Sequence, residues 1–150
     1  GFLLESVAME AKRSLLEPRN FVIVSWNVSG IRGLEKRCGK KLAALFRSWN
    51  ADCVCIQETK LSSFDDVTDD IAMVDGYDSY FSFSRDESQP KGWSGTVTYC
   101  RKGLAKDASE GFGVAQFNRE GRIVQVDFGA FIVFNGYFPN AKRVRAGAAF

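Results

Sequence analysis

A chain of 150 residues, 45% hydrophobic and 25% charged, is one ordinary globular domain's worth, long enough to bury a core. Its net charge of +2 singles out no partner, and no apolar run reaches the 18 residues of a membrane-spanning helix, so no membrane partner is expected. The absence of histidine excludes Ser-His or Cys-His catalysis by this chain alone, and without CxxC spacing the four cysteines do not read as a zinc site.

Residues 2–16 suit a short helix that Pro18 would end. The opening "GFLLESVA" lacks a basic n-region and is a poor signal peptide. Residues 1–20 are read as an extension before a domain at 21–150, and both ends read as cut from a longer chain. "FVIVSW" (21–26) is a β-branched, apolar strand, and the glycines of "NVSGIRG" (27–33) predict a loop. Leu42, Leu45, Phe46 and Trp49 recur at helical spacing and predict a helix over 41–50. "ADCVCIQ" (51–57) is a buried strand with Cys53 and Cys55 on one face, free thiols of a reducing compartment. Strand, helix, strand predicts a right-handed βαβ unit with parallel pairing.

Next, "SSFDDVTDDIAM" (62–73) predicts an acidic helix capped by Ser62 or Ser63. Strands are then expected at 77–85, 94–102, 113–119, 122–128 and 130–138, with turn residues between them. "TVTYC" and "IVQVDF" alternate strictly, which predicts one wet face for each. "FGAFIVFNGYF" (128–138) is apolar on both faces and needs a second layer; left uncovered, it predicts aggregation or self-association. The class is α+β, with helices over one face of a mixed, mostly antiparallel sheet.

Charge is uneven. Residues 32–47 carry six basic side chains against Glu35, residues 58–78 carry seven acids against Lys60, and 142–145 adds three positives. The basic stretches can contact phosphates, although a basic helix face is more often simply solvated.

The strand ends carry the chemistry. Asn27 follows the first strand and Glu58 follows "CVCIQ", so parallel pairing sets them side by side at the sheet edge where open α/β sheets bind ligands. "AFIVFNGYFPN" brings Tyr137 and Asn140. A carboxylate, two amides and a phenol make a hard-oxygen site suited to Mg²⁺ and a phosphate.

Five segments, "SWNVSGIR" (25–32), "CIQETK" (55–60), "WSGTVTYCR" (93–101), "EGRIVQVDF" (120–128) and "NGYFPNA" (135–141), resemble the exonuclease–endonuclease–phosphatase superfamily. Within it they resemble the apurinic/apyrimidinic endonucleases of the exonuclease III class, and "VDGYDSYFSFSR" (74–85) leans toward the eukaryotic second type. The resemblance implies the N-terminal half of a four-layer α/β/β/α sandwich and Mg²⁺-dependent hydrolysis 5′ to abasic sites in DNA, with Mn²⁺ as an alternative ion and a 3′-exonuclease as companion activity. It implies that Glu58 and Asn27 meet the metal, that Asn27 and Tyr137 act on the scissile phosphate, and that Arg32, Lys60, Trp93, Ser94 and Asn140 face DNA. Such a role implies an intracellular setting, the nucleus first, with the cytoplasm or an organelle as alternatives. The family's later Gly-Asp-x-Asn and Ser-Asp-His motifs are absent, and Ser29 stands where many relatives carry an acid. Catalytic incompleteness is therefore expected. The alternatives are a non-catalytic nucleic-acid- or protein-binding remnant and a superfamily phosphatase.

Overall fold

The computed structural model describes residues 20–139. The expected helix at 2–16, and Asn140 with the basic stretch at 142–145, lie outside the described residues.

Two strands and two helices form the first unit. β1 (Ile23–Asn27) leads through α1 (Ile31–Arg37) and α2 (Leu42–Ser48) to β2 (Cys53–Gln57), which pairs parallel to β1 with Asn27 level with Gln57. The predicted βαβ unit is present, but part of the expected loop at 27–33 is helix: Ile31 and Leu34 bury one side of α1, and that burial outweighs the unfavourable Gly33. The expected helix over 62–73 is broken into a 3₁₀ turn at Phe64–Asp66 and a single turn, α3 (Asp69–Ala72), and no side chain caps either. Asp66 instead takes the Ser62 main-chain N–H at 2.9 Å, which folds the segment back before a longer helix can form.

β3 (Tyr77–Ser82) and β4 (Thr96–Arg101) complete a mixed sheet in the order β1-β2-β4-β3. A second, antiparallel sheet follows, in the order β5 (Asp107–Glu110), β6 (Ile123–Asp127), β7 (Ile132–Gly136). The stretch expected as a strand at 113–119 holds a short helix, α4 (Ala115–Asn118), and β5 lies earlier in the chain.

Two cores separate three layers. Ile31, Leu34, Leu42 and Phe46 pack with Val54, Ile56, Val97 and Tyr99 on the helical face of the first sheet. Cys53, Cys55 and Cys100 pack with Val124, Val126 and Phe128 between the sheets. Cys53 and Cys55 share a face as expected, and all four cysteines are free thiols. β4 has no wet face: the second sheet covers Thr96 and Thr98, which are fully buried. β7 is covered on one side only, leaving Ile132 and Phe134 about half exposed, at 47% and 51%. At the end remote from the ligand edge, fully buried Asp52 accepts from Arg101 Nε at 3.0 Å and from Val22 N at 3.0 Å, tying β1, β2 and β4 together.

Candidate active site

Main-chain bonds stitch the segments that leave β1, β2 and β7 and those that enter β4 and β6 into one edge. Gly30 N donates to Glu58 O at 2.8 Å and Ile31 N to Thr59 O at 3.0 Å, so the loop after β1 runs on beside the segment after β2. Thr59 N donates to Gly95 O at 3.0 Å and Lys60 N to Ser94 O at 3.1 Å, which binds that segment to the approach to β4. Gly95 N reaches Gly121 O, and Tyr137 N donates to Arg122 O at 2.9 Å, bringing the second sheet to the same edge. Gly121, at φ 63°, admits no side chain, because a Cβ there would run into the backbone of Phe83 and Ser84.

Six described residues other than glycine hold positive φ, and four of them lie on this edge: Ser29 (49°), Glu58 (53°), Lys60 (58°) and Ser94 (62°). Each such conformation costs on the order of 1–3 kcal/mol, and such costs concentrate where function requires an unusual backbone.

Glu58 stands at the centre. Its Oε1 accepts a hydrogen bond from Asn27 Nδ2 at 2.9 Å. Asn27 Oδ1 in turn accepts from Ser29 N at 3.1 Å, closing a turn that fixes the amide. The Tyr137 hydroxyl reaches Glu58 from the second sheet. Partial burial, then the Glu58 charge and hydrogen bond, hold its phenol above the ordinary tyrosine range, with Arg122 opposing.

The other expected site residues are placed less directly. Lys60 Nζ donates to Ser29 Oγ at 3.0 Å rather than to Glu58. Arg32 is paired with Asp66, through Nη2 to Oδ1 at 3.0 Å and to the main-chain oxygen at 2.8 Å. Ser94 is buried and donates inward to Gly121 O at 3.0 Å, so its hydroxyl holds the loop rather than the surface. Trp93 meets the Tyr137 ring edge-on at 6.4 Å, and the Arg122 guanidinium lies 5.0 Å above the indole. Arg122 also pairs with Glu120 at 2.8 Å. It is the cation nearest the phenol face that sequence reasoning passed over, although it lies within the quoted "EGRIVQVDF". A shallow cavity of about 310 Å³ opens there, lined by Phe112, Glu120, Arg122, Ile123, Tyr137 and Phe138.

Among the described residues no group of three or more His, Cys, Asp or Glu is placed to hold a metal ion. The donor set at Glu58 fits a different kind of site. One carboxylate suits Mg²⁺, which keeps several waters and takes its remaining oxygens from phosphate. Asn27 presents Nδ2 to Glu58 Oε1 and its Oδ1 to Ser29 N.

The family described as "Endonuclease/Exonuclease/phosphatase family" matches residues 24–149. DNA-(apurinic or apyrimidinic site) endonuclease 2 of Mus musculus is 42% identical over 96 residues, 59% of this chain and 18% of its own length. DNA-(apurinic or apyrimidinic site) endonuclease of Dictyostelium discoideum is 30% identical over 126 residues, 84% of this chain and 32% of its own. The crystal structure of the Xenopus laevis APE2 catalytic domain superposes with a TM-score of 0.63 at 34% identity, covering 80% of this chain and 46% of that one. AP endonuclease LMAP from Leishmania major gives 0.63 at 27% identity, covering 78% and 40%. The chain thus spans about a fifth of the endonuclease 2 relatives it matches and under half of these solved structures.

Proposed function

Because the chain belongs to the endonuclease/exonuclease/phosphatase family, we propose that it forms part of a DNA-repair nuclease that hydrolyses the phosphodiester 5′ to an abasic site. The observation that carries this reading is the Asn27–Glu58–Tyr137 arrangement: a carboxylate fixed by an amide at 2.9 Å and by a phenol, on an edge built from strained backbone. The names of the relatives support the substrate, abasic DNA. A bound Mg²⁺ (or Mn²⁺) would offset negative charge on the phosphoryl oxygens and leaving group. Glu58 would hold it. Asn27 keeps Glu58 aimed. The Tyr137 hydroxyl, protonated at neutral pH as any ordinary phenol is, can turn from Glu58 to donate its one proton to a phosphate oxygen, a contact of the kind worth about 3 kcal/mol. Arg122 and Lys60 flank the edge with positive charge for the DNA backbone.

A second reading, a non-catalytic nucleic-acid-binding piece, is favoured by two facts: Glu58 is the only carboxylate of the Asn27–Glu58–Tyr137 group, and the chain has no histidine to finish a phosphate site. One experiment separates them. Residues 21–139 replace the matching part of the Xenopus APE2 catalytic domain, and incision of a labelled duplex with one abasic site is followed. Mg²⁺-dependent cutting 5′ to the site, lost with Glu58→Gln, is expected. A folded chimera that binds this duplex without cutting it would sink the nuclease reading.

A further inference from the structure

Directly beneath the site, between the two sheets, two side-chain amides are sealed from solvent: Gln57 is 9% and Asn135 2% exposed. Gln57 Nε2 donates to Asn135 Oδ1 at 2.8 Å and lies 3.1 Å from Ser25 Oγ. Asn135 Nδ2 donates to Val97 O at 2.9 Å and to Thr98 Oγ1 at 3.1 Å, with Ile56 O at 3.3 Å. One amide pair therefore touches β1, β2, β4 and β7 at once.

The positions of these residues match the site above them. Ser25 is two residues before Asn27 on β1, Asn135 is two before Tyr137, and Gln57 immediately precedes Glu58. Deeper between the sheets the contacts are made by thiols and aliphatic groups, Cys53, Cys55, Cys100, Val124 and Val126. Such contacts attract without direction and let one sheet slide on the other. Hydrogen bonds to fixed main-chain oxygens do not. An apolar pair of similar shape would fill the same space but would fix no distance, and it would leave Thr98 Oγ1 and Val97 O without the donor that now ties them to β7.

We propose that the Gln57–Asn135 pair is a positioning device that sets the distance between Glu58 on the first sheet and Tyr137 on the second. This rests on the reading of Glu58 and Tyr137 as a functional pair. The two amides touch neither metal nor substrate; they act through the residues beside them, as outer-shell groups do.

The test uses the full 150-residue chain, with Gln57→Leu/Asn135→Leu together, Gln57→Met alone as a milder change, and Val126→Ala as a packing control in the same layer. Three quantities are read: the melting temperature, the Mn²⁺ dissociation constant by electron paramagnetic resonance, and the indole N–H resonance of Trp93, assigned with Trp93→Phe, in metal-free protein. The double variant should stay folded but melt below the parent chain, because Thr98 Oγ1 and Val97 O lose their donor. Its Mn²⁺ affinity should fall about tenfold, and the Trp93 resonance should shift as the Tyr137 ring moves. Val126→Ala should lower the melting temperature and leave the other two unchanged. If the double variant does not fold, Gln57→Met is judged by the same criteria. If the parent chain binds no Mn²⁺, the metal reading fails, and the Trp93 resonance alone decides the positioning role. A folded variant with parental Mn²⁺ affinity and an unmoved Trp93 resonance overturns the proposal.

Discussion

Glu58→Gln separates the chemistry of the site from its architecture. The amide has the shape of the carboxylate and can still accept from Asn27 Nδ2, now 2.9 Å away. It can also turn an N–H toward the Tyr137 oxygen, and the backbone at φ 53° is no more strained by glutamine than by glutamate. The folded state loses only the difference between a charged and a neutral acceptor, about 1 kcal/mol. The metal loses far more. Glu58 supplies the only formal negative charge of its group with Asn27 and Tyr137, and even outer-shell changes cost 10–100-fold in metal affinity. The substitution should therefore weaken Mn²⁺ binding at least about 100-fold, or roughly 2.8 kcal/mol at 1.4 kcal/mol per decade. Isothermal titration with Mn²⁺ beside a urea melt of the same samples reads both. Unchanged affinity would remove Glu58 from the metal site. A stability loss as large as the affinity loss would mean that the residue is chiefly structural.

Three further outcomes follow from the same geometry. Arg101→Met takes the guanidinium from the buried Asp52 carboxylate, which keeps the Val22 N–H, and should cost about 1–3 kcal/mol in urea melts without changing Mn²⁺ affinity; no measurable cost would refute the role of that pair. The Ser62 main-chain N–H, then Arg32, hold the Asp66 carboxyl below its usual range, so its contribution is complete above the unfolded-state pKa, about 4, and is lost as pH falls through the lower folded value. Asp66→Asn should accordingly lower the melting temperature at pH 6, and the gap should narrow as pH falls below about 4; a gap that does not narrow in acid would contradict this. The 150-residue chain alone, without histidine or a Gly-Asp-x-Asn motif, should not incise abasic DNA in excess Mg²⁺; cutting that Glu58→Gln abolishes would show it to be catalytically sufficient.

The parallel β1–β2 pair and the meeting of Asn27 with Glu58 were legible because "FVIVSW" and "CVCIQ" are uniformly apolar strands joined by one clear helical repeat. What was hidden depends on the second sheet. "DASE" has no alternation to betray β5, which exists because it pairs with β6. "TVTYC" alternates like a half-solvated strand, yet its threonines face the other sheet, where Thr98 accepts from Asn135. Asn135 lies within a segment read as apolar on both faces, and only the sheet-on-sheet contact makes it the partner of Gln57. Gly30 and Gly33 read as loop residues, whereas the helix between Ile31 and Arg37 is supported by tertiary burial that no local pattern announces.

The left-handed backbone at Ser29, Glu58, Lys60 and Ser94 has a consequence for how this sequence would drift under selection. Glycine is the residue each of those positions tolerates most easily, and at each it would relieve about 1–2 kcal/mol of steric cost. A library screened only for heat resistance or expression would enrich glycine there. The survivors would lose the carboxylate at Glu58, the ammonium at Lys60 and the hydroxyls that Ser29 and Ser94 contribute to hydrogen bonds. Thermostability and phosphate chemistry thus favour different residues at the same four positions, and sequencing such survivors would map the site without any substrate being known.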